Sequence, residues 1–207
     1  MSRESILHRV RTAIGRSAGQ SVPGAPTARI RIPDVDLQVR IASMVARVEA
    51  LAGNAMVCAD PRAEVAARIE GKTAVASNAP CLTQWGIAQL PGVRCGITDR
   101  EELRALCSTA DVGITSADYA LADTGTLVML SSPEEARLIS LLPPAHIAVV
   151  PRERILTGLD ELFSILPDPA AKTSSMVLIT GPSRTADIEQ ILVRGVHGPG
   201  QITVIIA

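Results

Sequence analysis

Short apolar runs alternate with helical segments along most of this chain, and this alternation constrains the fold more than any other feature. The runs AMVCA (55–59), TAVAS (73–77), HIAVVP (146–151) and QITVIIA (201–207) are apolar on both faces, as in strands covered on both sides. Helical spacing of apolar residues marks segments between them, such as DLQVRIASMVARVEALAG (36–53). The pattern predicts an α/β fold with a mostly parallel sheet and flanking helices.

Further elements are predicted along the chain. PRAEVAARIEG (61–71), SPEEARLISLLP (132–143) and RERILTGLDELFSIL (152–166) have the spacing and start signals of helices. DVGITSADYALADTGTLVML (111–130) is typical of two strands around a tight connection. SSMVLI (174–179) is predicted as a buried strand, and the residues after GPSR as a helix that includes IEQILVRG.

The first 33 residues differ from the rest in composition. RESILHRVRTAIG (3–15) places Ile6, Val10 and Ile14 four residues apart, which predicts a short amphipathic helix. The segment that follows, GRSAGQSVPGAPTARIRIP (15–33), is rich in Gly, Pro, Ser and Ala and is typical of a linker. We therefore expect a helix and linker over residues 1–33 and an α/β domain over residues 34–207. The helix is expected to dock on its own domain, with a partner contact as the alternative.

Composition excludes several classes of partner. With one Trp, one Tyr and one Phe, the chain has almost no aromatic surface on which bases stack, and 20 basic residues balance 21 acidic ones. We therefore expect neither nucleic acid nor an anionic membrane as the main partner. The longest apolar stretch, LISLLPPAHIAVV (138–150), is too short and too interrupted to span a bilayer, and the N-terminus lacks a secretory apolar region. A cytoplasmic location is expected.

The cysteines and histidines form no recognisable metal-binding pattern. The four cysteines contain no C-x-x-C pair and are expected to be reduced thiols: Cys58, Cys81, Cys95 and Cys107. His8 and His146 join His197 at no ligand spacing, so no metal site is predicted. His197, in the turn HGPG, is a candidate acid, base or ligand, and the alternative is a residue that only caps a loop.

Three polar, glycine-containing segments lie next to predicted strands. ITSADYALADTG (114–125) and ITGPSRTADIE (179–189) end strands, and GVHGPG (195–200) precedes the last one. Because ligands bind at the carboxyl ends of strands in open parallel sheets, we expect these segments to converge on one site.

GPSRTADIE has the composition of an anion site at a helix N-terminus. Gly181 permits close backbone approach, and Ser183 or Thr185 can cap the helix. Arg184 can bind a carboxylate or phosphate through two hydrogen bonds. Asp187 and Glu189 either complement the helix dipole or repel a multiply charged phosphate. The alternative is a well-capped helix start without a ligand.

The motif Asp123-Thr124-Gly125 has two interpretations. It is the local signature of aspartic peptidases, but those chains are all-β when small, whereas this one is helix-rich. The alternative is a tight turn in which Gly125, Thr124 and Thr126 line a pocket, with Asp123 or Asp118 as its polar anchor.

Together these segments resemble a known family. TSADYALADTGTLVML, PPAHIAVVP and GPSRTADIEQILVRGVHGPGQITVII resemble the lactate utilisation protein C (LutC/YkgG) family, which carries the LUD domain. The opening MSRESILHRVRTAIG is similar to that family's first helix. One difference is that Asp123 stands where the family often has Glu.

The resemblance implies a fold like that of ribose-5-phosphate isomerases and CoA transferases. It also implies a cytoplasmic subunit that acts with two iron–sulfur proteins in the oxidation of L-lactate to pyruvate. Any cluster would belong to the partners, with no cofactor bound by this chain alone. In this hypothesis Arg184 and its neighbours hold a carboxylate, with His197 and Asp123 as acid–base groups. The alternatives are a free-standing CoA-transferase-like or sugar-phosphate isomerase-like enzyme, and a non-catalytic assembly module.

Overall fold

A computed structural model describes residues 2–21, 31–186 and 192–207 of the chain. Within these ranges the helices are α1 (Arg3–Ala13), α2 (Leu37–Ala50), α3 (Pro61–Ile69), α4 (Pro80–Gln84), α5 (Arg100–Thr109) and α6 (Leu159–Ile165). The first six strands are β1 (Asn54–Val57), β2 (Ala74–Ala76), β3 (Val93–Arg94), β4 (Val112–Ser116), β5 (Tyr119–Leu121) and β6 (Thr126–Leu130). The others are β7 (Ala145–Val150), β8 (Ile155–Leu156), β9 (Met176–Thr180), β10 (Arg184–Ala186), β11 (Leu192–Arg194) and β12 (Gln201–Ile206).

The central sheet of the described residues is parallel throughout. Its strand order is β1-β12-β7-β4-β2-β3, and every neighbouring pair runs in the same direction. Strands β4, β7 and β12 are buried along nearly their whole length, as their continuous apolar runs require. The prediction of an α/β fold with a mostly parallel sheet is confirmed.

A second, smaller sheet lies against the first. Its order is β8-β5-β6-β9, with β6 antiparallel to both β5 and β9. Residues 111–130 therefore form three strands, whereas two were predicted. Strand β9 forms where a strand was predicted, but the prediction that it is buried is wrong, because none of its residues is buried and Leu178 is 42% exposed. It pairs with β6 in antiparallel register, which the parallel pattern does not anticipate.

Helix α2 joins the two sheets through one apolar core. Asp36 caps it by accepting a hydrogen bond from the backbone N–H of Gln38 at 2.7 Å. Ile41, Met44 and Val48 point into the core, where they meet residues of both sheets such as Leu127, Met129, Val204 and Ile206. Full burial of each such side chain is worth roughly 1.5–3 kcal/mol, so truncation of Met44 would loosen both layers.

Helix α1 forms as predicted but buries none of its residues. Ser2 caps it through a 3.2 Å hydrogen bond from the Ser5 N–H, and Gly15 ends it with a φ of +66°. Ile6, Val10 and Ile14 are 49%, 50% and 60% exposed. The expectation that this helix docks on its own domain is therefore wrong. Most of the predicted linker, residues 22–30, lies outside the described residues.

Two predicted helices are replaced by other structure. Residues 132–143 contain only a short 3₁₀ turn, Arg137–Ser140, because the Glu134 carbonyl accepts the Asn78 N–H at 2.8 Å and not the Leu138 N–H, as it would in a helix. The helix predicted over residues 152–166 begins only at Leu159. Ile155–Leu156 instead pairs with β5, and the gain from this tertiary pairing overrides local helix propensity.

The segment after GPS is a hairpin. Strand β10 pairs with β11 in antiparallel register, Thr185 opposite Val193, and the Gly195 N–H closes the structure on the Ser183 carbonyl at 3.0 Å. The helix predicted to start here is therefore wrong in the residues that the structure describes. Residues 187–191, which include Asp187, lie outside them.

Candidate functional site

The Asp123-Thr124-Gly125 turn connects β5 to β6 and packs against α2. Gly125 has a φ of +69°, and a Cβ added to it would lie 2.9 Å from the backbone nitrogen of Val48. Only glycine fits this conformation and this approach. The Asp123 N–H donates to the Thr157 carbonyl at 3.1 Å, which places the carboxylate over Gly158.

Asp123 lines a small cavity, here called the turn cavity. This cavity has a volume of about 340 Å³ and is lined by Arg31, Pro33, Asp123, Thr157, Gly158 and Asp160, among others. It is a depression in the surface beside the second sheet.

A row of hydroxyl groups leads away from Asp123. Thr124 donates to Asp123 Oδ1 at 3.1 Å, and the Thr124 and Thr126 hydroxyl oxygens are 2.8 Å apart. Thr126 is in turn 2.8 Å from the Thr180 hydroxyl, because Thr126 and Thr180 are directly paired between β6 and β9. The three threonines thus connect Asp123 to a second cavity, which Thr180 lines.

The second cavity, here called the hairpin cavity, contains several of the predicted binding residues. It has a volume of about 310 Å³, and its polar lining is Arg137, Ser140, Thr180, Ser183, Arg184 and His197. Gly181 also lines it, with a φ of +76°, and a Cβ added to it would lie 2.9 Å from the Cβ of Leu51, the C-cap of α2. Arg184 donates a hydrogen bond to the Leu51 carbonyl, which holds its guanidinium at the wall. The cavity has two arginines, and no acid occurs in its described lining.

The hairpin cavity opens at the amino ends of the central strands. The Ser183 N–H donates to the Pro199 carbonyl at 2.9 Å, and the Gly200 N–H donates to the Pro144 carbonyl at 3.0 Å, just before β7 and β12 begin. Gly181, Ser183, Arg184 and His197 therefore lie together, but at the opposite edge from the one predicted. Thr185 lies beyond Arg184 on β10, outside the described lining.

The three predicted segments do not converge. Asp123 lines the turn cavity and His197 the hairpin cavity, so these two candidate catalytic residues have no common cavity in the described structure. Asp118 lies at a third place, after the carboxyl end of β4.

The third place is here called the carboxyl-edge cavity, because β2 and β4 both end there. It has a volume of about 420 Å³, and its polar lining includes Cys81, Ser116, Asp118, Glu134, Glu135 and Arg154. Asp118 accepts a 2.7 Å hydrogen bond from the Leu130 N–H, and Arg154 Nη1 donates to the Asp118 carbonyl at 3.3 Å. Burial raises the pKa of Asp118, against the opposing effect of the Leu130 hydrogen bond.

Glu135 is the most perturbed acid of this cavity. It is only 7% exposed, and its Oε2 accepts a 2.8 Å hydrogen bond from the Ser77 hydroxyl. Burial raises its pKa to about 8. The hydrogen bonds from the Ser77 hydroxyl and the Ser116 backbone lower the pKa, and the charge of Asp118 raises it further. Glu135 is therefore mostly protonated at neutral pH.

Sequence reasoning missed Glu135 and its neighbours Ser77, Cys81 and Arg154. SPEE was interpreted as the first turn of a helix, where acids are common and exposed. The signal that was available is that Ser77 and Ser116 each follow an apolar run. In a parallel sheet such positions mark the binding edge.

The four cysteines are free, as expected, and lie on separate segments. Burial raises the pKa of the Cys81 thiol in the carboxyl-edge cavity and that of the buried Cys107 thiol to about 11. Both are therefore protonated at neutral pH and are poor nucleophiles. Among the described residues no group of three or more His, Cys, Asp or Glu side chains is placed to hold a metal ion.

These features define an α/β domain with a parallel sheet and polar cavities at both ends of its strands. A family model for the LUD domain matches residues 42–207. The chain therefore belongs to the LUD domain family, and the resemblance found in its motifs is confirmed.

Proteins called lactate utilization protein C are similar to this chain. That of Halalkalibacterium halodurans is 42% identical over 106 residues, which cover 49% of this chain and 46% of the relative. That of Oceanobacillus iheyensis is 32% identical over 151 residues, covering 67% and 65%, and that of Bacillus subtilis is 44% identical over 94 residues, covering 44% and 39%. The matched residues thus span about half to two thirds of the length of the first two relatives.

A solved structure supports the fold. The crystal structure of a DUF162 family protein from Deinococcus radiodurans superimposes with a TM-score of 0.63 at 19% identity, covering 83% of this chain and 98% of that one. In the part of the chain that the structure describes, no helix has the length and apolar character needed to cross a membrane.

Proposed function

We propose that this chain serves lactate utilisation as the cluster-free subunit of an iron–sulfur system that oxidises L-lactate to pyruvate. Its membership of the LUD domain family and its likeness to proteins called lactate utilization protein C support this role. In this proposal the chain binds a small carboxylate, and two iron–sulfur partner proteins carry the electrons.

The hairpin cavity is the proposed carboxylate site. The observation that carries this assignment is the pair of arginines, Arg137 and Arg184, in a lining that shows no described acid. An arginine holds a carboxylate through two parallel hydrogen bonds, and the hydroxyl of Ser183 can donate a further one. His197 stands in the same wall as a group able to exchange a proton.

Binding of L-lactate and pyruvate to the isolated chain tests the site. Titration calorimetry on Arg184→Ala is expected to show at least tenfold weaker binding than the unchanged protein. Arg104→Ala on the exposed face of α5 is the matched control and should bind as the unchanged protein does. Equal binding by both variants would contradict the assignment to the hairpin cavity.

The partners are tested by affinity purification of the tagged chain from its own cells grown on lactate. Recovery of two cysteine-rich proteins that contain iron is the expected result. Turnover of a CoA ester or a sugar phosphate by the chain alone would instead favour the free-standing enzyme. Such turnover must be measured, because a shared fold does not establish a shared activity.

The exposed stripe of α1 favours assembly as a second function. Ile6, Val10 and Ile14 form an unburied apolar row along α1 and its C-cap. A partner helix or groove that covers this row would gain roughly 25 cal/mol for each Å² of apolar surface removed from water. The two functions are compatible, because α1 contributes no residue to the described lining of the hairpin cavity.

A further inference from the structure

Strand β9 is an edge strand whose outer side opens onto the hairpin cavity. In the order β8-β5-β6-β9 it pairs with β6, and no other described strand pairs with it. The lining of the hairpin cavity includes every residue from Val177 to Arg184. Because the side chains of a strand alternate between its two faces, consecutive residues of β9 line one cavity only where that cavity reaches the strand's edge. The hairpin cavity is therefore a groove that follows the backbone of β9.

The pairing with β6 identifies the backbone groups of β9 that face this groove. The Ser131 N–H donates to the Ser175 carbonyl at 2.9 Å, and these two residues continue the register of β6 and β9. In an antiparallel pair every second residue bonds to the neighbouring strand, so Ser175 and each second residue after it bond to β6. The N–H and C=O groups of the other three residues point away from β6, and within the described ranges no backbone partner of theirs is found: Met176, Leu178 and Thr180.

No feature of β9 blocks the addition of a further strand. Natural edge strands are usually protected by a charged side chain, a proline or a bulge. Met176–Thr180 contains no charged residue and no proline, its register with β6 is continuous, and Leu178 is exposed. An edge with these properties is suited to pair with an extended segment through main-chain hydrogen bonds.

The charges beside this edge select an acidic partner. Arg137 and Arg184 line the groove, and among the described residues neither forms an ion pair. Arg184 donates one hydrogen bond to the Leu51 carbonyl, and a guanidinium has five N–H groups to donate. A second copy of this chain would bring its own β9, but residues 172–184 contain no acid. Such a pairing would leave the arginines without a counter-charge, so an acidic segment of a different protein fits better.

We propose that the free edge of β9 binds an extended, acidic segment of another protein as a fifth strand of the second sheet. The backbone of this segment bonds to the N–H and C=O groups of Leu178 and its two edge neighbours, and its acidic side chains pair with Arg137 and Arg184. The proposal goes beyond lactate binding and does not depend on it, because it rests on the strand edge and on the arginine charges. It is also separate from the assembly function of the apolar row on α1.

Fluorescence anisotropy of labelled peptides with the full chain tests this proposal. The probe is the peptide TVEVDVT, and its matched control TVQVNVT has each acid replaced by the corresponding amide. We expect TVEVDVT to bind and the amide peptide to bind at least fivefold more weakly. A third peptide, TVEVDVT methylated on its backbone nitrogens, should bind at least tenfold more weakly than the probe, because it cannot donate hydrogen bonds to the edge.

Variants of Leu178 locate the contact on β9. Because the Leu178 N–H points away from β6, Leu178→Pro removes an edge donor without removing a hydrogen bond to β6. It should weaken binding of the acidic peptide at least tenfold, whereas Leu178→Ala, which keeps the N–H, should change the affinity less than threefold. Circular dichroism of both variants checks that the fold is kept. Arg184→Ala should reduce the difference in affinity between the acidic and the amide peptide.

Lactate binding to the same protein separates this proposal from the proposed function. Peptide binding without lactate binding would contradict only the assignment of the small carboxylate. The strand proposal is overturned if TVEVDVT does not bind at millimolar concentration, if its amide or methylated form binds equally well, or if Leu178→Pro binds it unchanged. It is also overturned if the unchanged chain dimerises in sedimentation velocity and Leu178→Pro does not, since β9 then pairs with a second copy.

Discussion

The Ser77 hydroxyl lies 2.8 Å from Glu135 Oε2, across 58 positions of sequence, and this contact fixes the floor of the carboxyl-edge cavity. Ser77 follows β2 in the central sheet, and Glu135 follows the second sheet's strand β6. The hydrogen bond therefore ties together two segments that no local pattern connects. It also leaves a neutral acid buried in the folded chain.

The first prediction is that Glu135→Gln stabilises the protein at neutral pH. The carboxyl ionises near 4.5 in the unfolded chain and near 8 in the folded one, so the folded state holds the extra proton between these values. The free energy of unfolding must fall as pH rises through this window. Removal of the titrating group should recover up to about 3 kcal/mol at pH 7.

Urea unfolding at pH 5, 6, 7 and 8 measures this effect. Glu134→Gln, one residue earlier and exposed, is the control and should follow the unchanged protein at each pH. A parallel pH dependence in Glu135→Gln and the unchanged protein would contradict the prediction.

The second prediction concerns His146, which is buried in β7 and lies 2.7 Å by its Nε2 from the Thr115 hydroxyl of β4. Burial lowers the pKa of His146 to about 4, whereas in the unfolded chain it is near 6.5. As the pH falls, the unfolded chain therefore binds this proton at a higher pH than the folded chain does. Stability is full above pH 6.5 and falls as pH drops towards 4, by about 3 kcal/mol in total.

Thermal or urea unfolding between pH 4 and 7 checks this slope. In Thr115→Val/His146→Leu both partners of the hydrogen bond are removed, and the difference from the unchanged protein should vary with pH in this window. His8→Leu on exposed α1 should leave the slope unchanged. If the double variant keeps the full dependence of the unfolding free energy on pH, groups other than His146 cause that dependence.

The third prediction separates backbone strain from close approach at Gly125. Gly125→Ala must adopt a φ of +69° and displace Arg47 and Val48 of α2, whereas Gly71→Ala meets only the strain of a φ of +70°, with no heavy atom within 4 Å. We expect a loss of about 1 kcal/mol for Gly71→Ala and about 1–3 kcal/mol more for Gly125→Ala. If chemical denaturation shows the same loss of unfolding free energy for both variants, α2 must shift without a measurable loss of stability.

The fourth prediction is that deletion of residues 1–21 changes the stability of the domain by less than about 0.5 kcal/mol, because α1 buries none of its residues. The same deletion should abolish recovery of the iron-containing partners, since it removes the apolar row of Ile6, Val10 and Ile14. Arg184→Ala should keep the partners and lose the carboxylate. Retention of the partners by the deleted chain would remove assembly from the functions of α1.

The sequence predicted the central sheet well, because a parallel strand buried on both faces is a local property. Ile147 and Val204, for example, each lie within a continuous apolar run that indicates a strand of this kind. The β-hairpin β10–β11 and strand β8 could not be predicted this way. Ile155 becomes a strand only because Ala120 of β5 lies beside it, and its neighbours have helical spacing.

The candidate site likewise contains features that local sequence predicts and features that it does not. Gly181, Ser183, Arg184 and His197 do lie together, and their turn-forming and polar character is visible in the sequence. The edge of the sheet on which they lie was predicted wrongly, because the strand before Gly181 was assigned to the parallel sheet. The raised pKa of Glu135 results from its burial, and the position of its carboxyl from the hydrogen bond with Ser77. Neither can be predicted from the residues that flank Glu135 in the sequence.

The row of hydroxyls from Asp123 to Thr180 has a direction. Each hydroxyl has a single hydrogen. Because Thr124 gives its hydrogen to Asp123 Oδ1, it must receive one from Thr126, which in turn receives one from Thr180. Thr180 then offers only lone pairs to the hairpin cavity. A ligand hydroxyl in that cavity therefore meets an acceptor at Thr180, whereas a ligand carbonyl meets no donor there. The contact between Thr124 and Asp123 thus sets, through two further hydroxyls, which kind of oxygen this wall can pair with.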